Sequence, residues 1–230
     1  MQCSPTAEQL LQWVESCHSN WNSTDWYTIE SHVDCAKDIG GLVDAFNFAF
    51  SLFAIVLGLS LVEVLTGFAR ALRRRRMVHL GWLVPLLAIF VMMDLNAFWQ
   101  WAWSGRRLIN PGYGVLTIGL FVCGLYYLAA SIVFPSEFGD RADFDEHYLA
   151  HRRQVLGAIF ICNVITSVPV IVIRWSEAQP RLYFEWAIYF GALLVAIVSR
   201  SKKVSIALLS LLIGQYLFAA VMSFIQPPPM

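Results

Sequence analysis

The sequence predicts an all-α protein, a polytopic transmembrane bundle of six spans with a short N-terminal helical segment outside the membrane. Three observations lead there. Of 230 residues, 58% are hydrophobic and only 14% charged, whereas soluble domains carry about 25% charge. Apolar runs of about 20 residues, the length that crosses a bilayer, recur along the chain. Basic residues gather on alternate connections between those runs. A soluble protein with a large core does not carry six separate runs of this length. The sixteen basic and sixteen acidic residues cancel, so net charge points to no partner, and nothing in a chain of this class points to nucleic acid.

Residues 1–41 are polar and aromatic, with Trp13, Trp21 and Trp26. They have neither the basic start nor the apolar middle of a signal peptide. Ser4 with Pro5 opens one amphipathic helix whose Ala7, Leu10, Leu11 and Val14 share a face. Ser23 or Thr24 caps a second, on which Trp26, Ile29 and Val33 align, and Gly40 and Gly41 end it. The expected product is a helical hairpin at the membrane surface with its Trp residues at headgroup level. Asn22-Ser23-Thr24 is a glycosylation sequon, used only in a eukaryotic lumen.

The six-span domain covers 42–226. The spans lie near 43–70, 78–103, 112–134, 155–175, 182–199 and 203–225, and residues 227–230 complete a Pro-rich tail. The longest connection, 136–154, is strongly charged, and its Asp140, Asp143, Asp145 and Glu146 read as a solvated acidic patch. Pro85 is expected to kink the second span. The two sets of three spans share no matching motif, so no inverted repeat is read.

One side of the membrane receives eleven basic residues: Arg70, Arg73 to Arg76, Arg141, Arg152, Arg153, Arg200, Lys202 and Lys203. The other receives five: Lys37, Arg106, Arg107, Arg174 and Arg181. The first side is therefore expected to be cytoplasmic and both termini extracytoplasmic. The arginine block after the first span is an orientation signal that also suits anionic lipid.

Polar residues inside the runs are the candidate functional residues. Ser60, Glu63, Thr66, Gly67 and Arg70 fall on one helical stripe. A carboxylate near a span centre is unfavourable by about 2.5–3.5 kcal/mol, so Glu63 should face helices or a wet cavity. Arg70 lies two turns below it, roughly 10 Å by helix rise, which reads as too far for a direct pair. Asp94 lies past the middle of the second span, sharing a face with Phe98 and Trp101. Asn96 and Gln100 share another face, as part of a polar packing layer. Trp99, Trp101 and Trp103 form an interfacial belt. Glu63 and Asp94 sit at different depths, as two stations on one path or as two packing residues. Asn163, Thr166 and Gln215 read as polar contacts between helices, and Glu185 with Arg181 as an interfacial ion pair. Gly119-x-x-x-Cys123 and Ser210-x-x-x-Gly214 are small-residue pairs that permit close helix approach.

Cys123 and Cys162 read as packing residues, while Cys17 and Cys35 can pair only in an oxidising compartment. No Cys/His spacing suits zinc, and the EF-hand pattern is absent. His147 and His151 are four residues apart and meet if the segment is helical; they read as solvated loop residues. No P-loop, G-x-S-x-G, H-E-x-x-H or G-x-G-x-x-G occurs. The sequence therefore implies no metal, no cofactor and no catalytic residue.

The stretches FAFSLFAIVLGLSLVEVLTGFARALR, GWLVPLLAIFVMMDLNAFWQWAW and GLYYLAASIVFP resemble a group of bacterial multi-pass inner-membrane proteins without an assigned activity. The likeness lies in L-G-L-x-L-x-E-x-L, in the Trp-rich end of the second span and in Y-L-A-A-x-x-x-F-P. It covers about residues 46–135 and implies a six-span bacterial inner-membrane protein.

Three functions fit these residues. The first is a small oligomeric channel or transporter for protons or small cations, using Glu63 and Asp94 with Ser60, Thr66, Arg70, Asn96 and Gln100 along the path. The second is an accessory or scaffold subunit of a membrane complex. The third is a membrane-embedded enzyme acting on a lipid or isoprenoid. The expected partners are the lipid bilayer and either further copies of the chain or the subunits of a complex.

Overall fold

A computed structural model describes residues 26–73, 81–104, 112–135, 144–173 and 180–225, with side chains except at 26–46, 169–182 and 224. Among the described residues there are six helices and no strand. They are α1 Trp26–Arg73, α2 Leu83–Ser104, α3 Tyr113–Val133, α4 Phe144–Ile173, α5 Pro180–Val198 and α6 Lys202–Ile225. Four contain segments long and apolar enough to cross a membrane: Asn47–Arg73, Leu83–Trp103, Tyr113–Val133 and Lys202–Ser223. Within α5 the apolar segment is the shorter Tyr183–Val198.

The chain divides into two compact units, Met1–Asp44 and Ala45–Met230. Of the first, only the helical backbone from Trp26 onward is described. The helix expected in residues 4–17, the sequon, the Cys17–Cys35 pairing, Arg74 to Arg76, the Glu185–Arg181 pair, Asp140 and Asp143 and the tail lie outside the described residues or side chains. One correction falls here. Gly40 and Gly41 do not end a helix, because α1 runs through both. A glycine inside a helix costs only about 1 kcal/mol, which a long helix absorbs.

In the second unit α2 to α6 form the core. Helix α3 packs along α4, α2 along α6, and α5 between α4 and α6. Their inward residues include Leu87, Phe90, Tyr126, Ala130, Leu156, Ile159, Leu193, Leu209 and Leu212, all buried. Helix α1 joins this core along one narrow stripe: Leu57, Ser60, Val64, Gly67 and Ala71 are buried at three- and four-residue steps. Close approach is needed at two glycines. A side chain at Gly67 would collide with Phe134, and one at Gly119 with Phe53. The other faces of α1 are exposed and apolar, with Leu52, Ile55, Leu59, Val62 and Leu65.

Two further expectations are corrected. Pro85 does not kink a span, because α2 begins at Leu83. In a first turn the missing N–H has no intrahelical partner to lose. The fourth helix begins at Phe144, well inside the charged connection expected to end at 154. Asp145 and Glu146 occupy its first turn, where the helix dipole favours acids. At this end of the unit Asp145 Oδ1 accepts the Leu83 N–H at 3.4 Å, and Asp145 pairs with Lys202 at 3.3 Å.

Candidate functional site

Asp94 is the centre of the unit. It is 1% exposed, and a side chain from each of four other helices points a donor at it. From α3, Tyr126 Oη donates to Oδ2 at 2.7 Å. From α5, Tyr189 Oη donates to Oδ1 at 2.9 Å. From α6, Tyr216 Oη donates to the same Oδ1. From α4, Asn163 Nδ2 reaches Oδ1 at 3.1 Å and Oδ2 at 3.2 Å, and also donates to its own Ile159 carbonyl at 3.0 Å.

A carboxylate has two oxygens and about four acceptor positions, and here all are engaged. This is the hydrogen bonding that a buried charge requires in place of water. Among the described residues no cation lies against Asp94; its carboxyl group is held by neutral side chains alone. Aromatic rings close the surroundings. Phe98 lies 5.5 Å from Tyr126 and stacks on Trp101 at 6.1 Å, and Phe90 lies 6.2 Å from Tyr216. The shared face of Asp94, Phe98 and Trp101 is as the helical period predicts.

Tyr216 Oη has two oxygens within reach, Asp94 Oδ1 and Tyr189 Oη, the latter at 3.1 Å. Its hydrogen therefore has two destinations. With Asp94 ionised, Tyr216 donates to the carboxylate. With Asp94 protonated, the new carboxyl O–H needs an acceptor. Tyr216 supplies one by turning its own hydrogen to Tyr189. Both protonation states can be fully hydrogen-bonded without moving a helix.

The remaining sequence candidates are placed differently. Glu63 is half-buried at the edge of the α1 stripe, and its Oε1 lies 3.8 Å from Arg70 Nη2. The direct pair thought out of reach therefore forms. Side chains lean toward the helix N-terminus, so the long Arg70 reaches back along the two turns to Glu63. The two carboxylates share no partner among the described residues. Ser60 is buried and donates to its own Val56 carbonyl at 2.9 Å, and Thr66 is exposed. Asn96 and Gln100 are also exposed, on the side of α2 away from the Asp94 face. Thr166 bonds to the Cys162 and Asn163 carbonyls of its own helix at 3.1 Å, leaving Asn163 alone to cross to α2. Gln215 is half-buried, its Oε1 without a hydrogen bond. Ser210 and Gly214 are exposed, and a side chain added at Gly214 would meet nothing among the described residues.

Tyr126, Tyr189 and Tyr216 were not singled out from sequence. A signal was present: each lies within an apolar run, and a buried tyrosine hydroxyl usually takes a hydrogen-bond partner, for which a mid-span acid such as Asp94 is one candidate.

A second polar group lies at the end of α4 near Lys202. His147 and His151 do meet, with ring centroids 4.3 Å apart. His147 Nε2 bonds the Ile132 carbonyl at 3.0 Å, so it is not a solvated loop residue. Burial pushes its imidazole below the usual value of 6.5, against the pull of that carbonyl. Tyr148, Arg152 and Ser205 are also buried here. Burial raises the Tyr148 phenol, opposed by the neighbouring Ser205 hydroxyl and Arg152 guanidinium. No group of three or more His, Cys, Asp or Glu able to hold a metal occurs among the described residues.

No family model matches the chain, and no curated protein or solved structure matches it.

Proposed function

We propose that the chain is a multi-pass integral membrane protein that couples binding of a proton at Asp94 to movement of the helices around it, as a proton-dependent transporter. The observation that carries this reading is the Asp94 node, one buried carboxylate bonded to a side chain from each of four other helices. Intramembrane acids are rare and mark proton relays and transport paths. A proton fits where a hydrated cation does not, because every acceptor position of Asp94 is filled by a protein donor. The Tyr216–Tyr189 pair supplies a hydrogen-bond pattern for each protonation state. Since Asp94 is sealed, a proton enters only when helices part, and parting breaks the bonds between them. That is the coupling.

The same reading places six spans in the membrane. The four long apolar helices are completed by α5 and by the apolar part of α4. The arginine-rich end carrying Arg73 and Lys202 is cytoplasmic and both termini lie outside. The resemblance to bacterial inner-membrane proteins supports a bacterial inner membrane, with bilayer lipid as one partner and further copies of the chain as the other.

The accessory-subunit reading is the alternative, favoured by the wide exposed apolar surface of α1. Proteoliposomes under an imposed pH gradient separate the two. Proton-linked flux in wild type, lost in Asp94→Asn at equal folded protein and kept in Glu63→Gln, supports the transporter. No flux in wild type supports the accessory subunit.

A further inference from the structure

The end of the unit near Lys202 holds three buried polar side chains whose hydrogen-bonding capacity is unmet. Arg152, on α4, is 5% exposed. One of its Nη atoms donates to the Leu149 carbonyl, while its Nε is buried without a partner. No acid among the described residues pairs with it. Tyr148 lies one turn earlier, and its buried Oη has no hydrogen bond. Ser205, in the first turn of α6, has a buried Oγ in the same condition. The starts of α4 and α6 lie together, as Lys202 pairs with Asp145 at 3.3 Å, and one turn further along each helix brings Ser205 to the level of Tyr148, with Arg152 one turn beyond.

Buried polar atoms are normally bonded, and a buried charge is normally paired. Three exceptions in one place, two neutral hydroxyls and one cation, form a donor set lacking its acceptor. Asp145, in the first turn of α4, is engaged by Lys202 and by the Leu83 N–H. Around the group stand Arg153, Arg200, Lys202 and Lys203, all exposed. The first turn of α6 adds backbone N–H groups that have no intrahelical partner, the arrangement that receives anions at helix starts.

We infer that Arg152, Tyr148 and Ser205 form a binding site for a phosphate group. A tetrahedral phosphate offers several acceptor oxygens in different directions, which matches donors arriving from two helices, and guanidinium is suited to it. The phosphate comes either from the headgroup of an anionic lipid or from soluble phosphate. The site does not involve Asp94, so it stands or falls separately from the transport reading.

The test uses the full chain, purified in mild detergent and stripped of lipid. Binding of inorganic phosphate is measured by calorimetry. Binding of phosphatidylglycerol, with phosphatidylcholine as control, is measured by native mass spectrometry. Saturable binding of inorganic phosphate identifies the soluble source, and retention of phosphatidylglycerol alone identifies the lipid headgroup. Either supports the site when Arg152→Met weakens that binding at least tenfold. Arg152→Met removes the buried unpaired charge, so without phosphate it should melt no lower than wild type. If it fails to fold, Tyr148→Phe with Ser205→Ala replaces it, with the same expected loss. The site is overturned if wild type binds neither ligand, or if a folded variant binds as tightly as wild type.

Discussion

At the residue scale, Asp94 and its donors determine how the protein responds to substitution. Tyr126→Phe removes one donor from the carboxylate and leaves the ring packed against Phe98. Hydrogen bonds to charged groups contribute about 1.5–3 kcal/mol in water-soluble proteins, and side-chain bonds in membranes average about 0.6. A loss of about 1–2 kcal/mol is expected, read as a lower midpoint in detergent unfolding. Asp94→Ala takes the acceptor from Tyr126, leaves Tyr189 and Tyr216 bonded only to each other and Asn163 only to its own helix, and should cost about 3–5 kcal/mol. Glu63→Gln should change stability by less than about 0.5 kcal/mol, because its pair with Arg70 is half exposed and such pairs contribute little. If Glu63→Gln proved the more damaging, the weight placed on Asp94 would be wrong.

The two carboxylates also show how far single residues could be read from sequence. That each needed a partner followed from the apolar runs around them. Which partner each has did not, because the Tyr126, Tyr189 and Tyr216 hydroxyls meet Asp94 only after three helices distant in sequence pack together. The Glu63–Arg70 pair depends on side-chain lean, which a count of helix rise omits.

At the element scale, the packing stripe on α1 follows the helical period, and its glycine at 67 is where Phe134 approaches closest. Gly67→Leu overpacks that contact and should destabilise the unit by about 1–3 kcal/mol, while Gly58→Ala, with open space around it, should be neutral or slightly stabilising. Comparing the two by thermal unfolding checks whether α1 packs by this stripe. Helix α4 gives a pH-dependent prediction. His147 is held below its ordinary value by burial, so the folded state binds fewer protons than the unfolded state at this site. Its contribution is complete above the unfolded value of 6.5 and is lost as pH falls below it. His147→Gln should flatten that acid-side loss of stability; an unchanged pH profile would contradict the burial.

The all-helical character and four long apolar helices were legible at this scale, because apolar length decides them. Helix ends were less so. Gly40–Gly41 and Pro85 both looked like punctuation, yet one lies inside a long helix and the other in a first turn. Likewise, the charged start of α4 read as a loop because its helicity depends on contacts with Leu83, Ile132 and Lys202.

At the scale of the second unit, five of the described helices share one polar centre, and the part of α1 within this unit packs on them by the stripe from Leu57 to Ala71. The orientation proposed here makes the end carrying Arg73, Arg153 and Lys202 cytoplasmic. With the native cysteines replaced, a cysteine introduced at exposed Arg153 should react with an impermeant maleimide in inside-out membrane vesicles and not in right-side-out ones. The opposite pattern would invert the topology.

The central claim is that Asp94 takes up and releases a proton, and that this exchange is coupled to the hydrogen bonds it receives from the helices around it. Infrared difference spectroscopy of the purified protein across a pH step tests it most directly, comparing wild type with Asp94→Asn. The account predicts a protonated-carboxyl band that appears as pH falls, is absent from Asp94→Asn and is accompanied by tyrosine hydroxyl changes. A folded wild-type protein showing no such band, or the same band in Asp94→Asn, would contradict it.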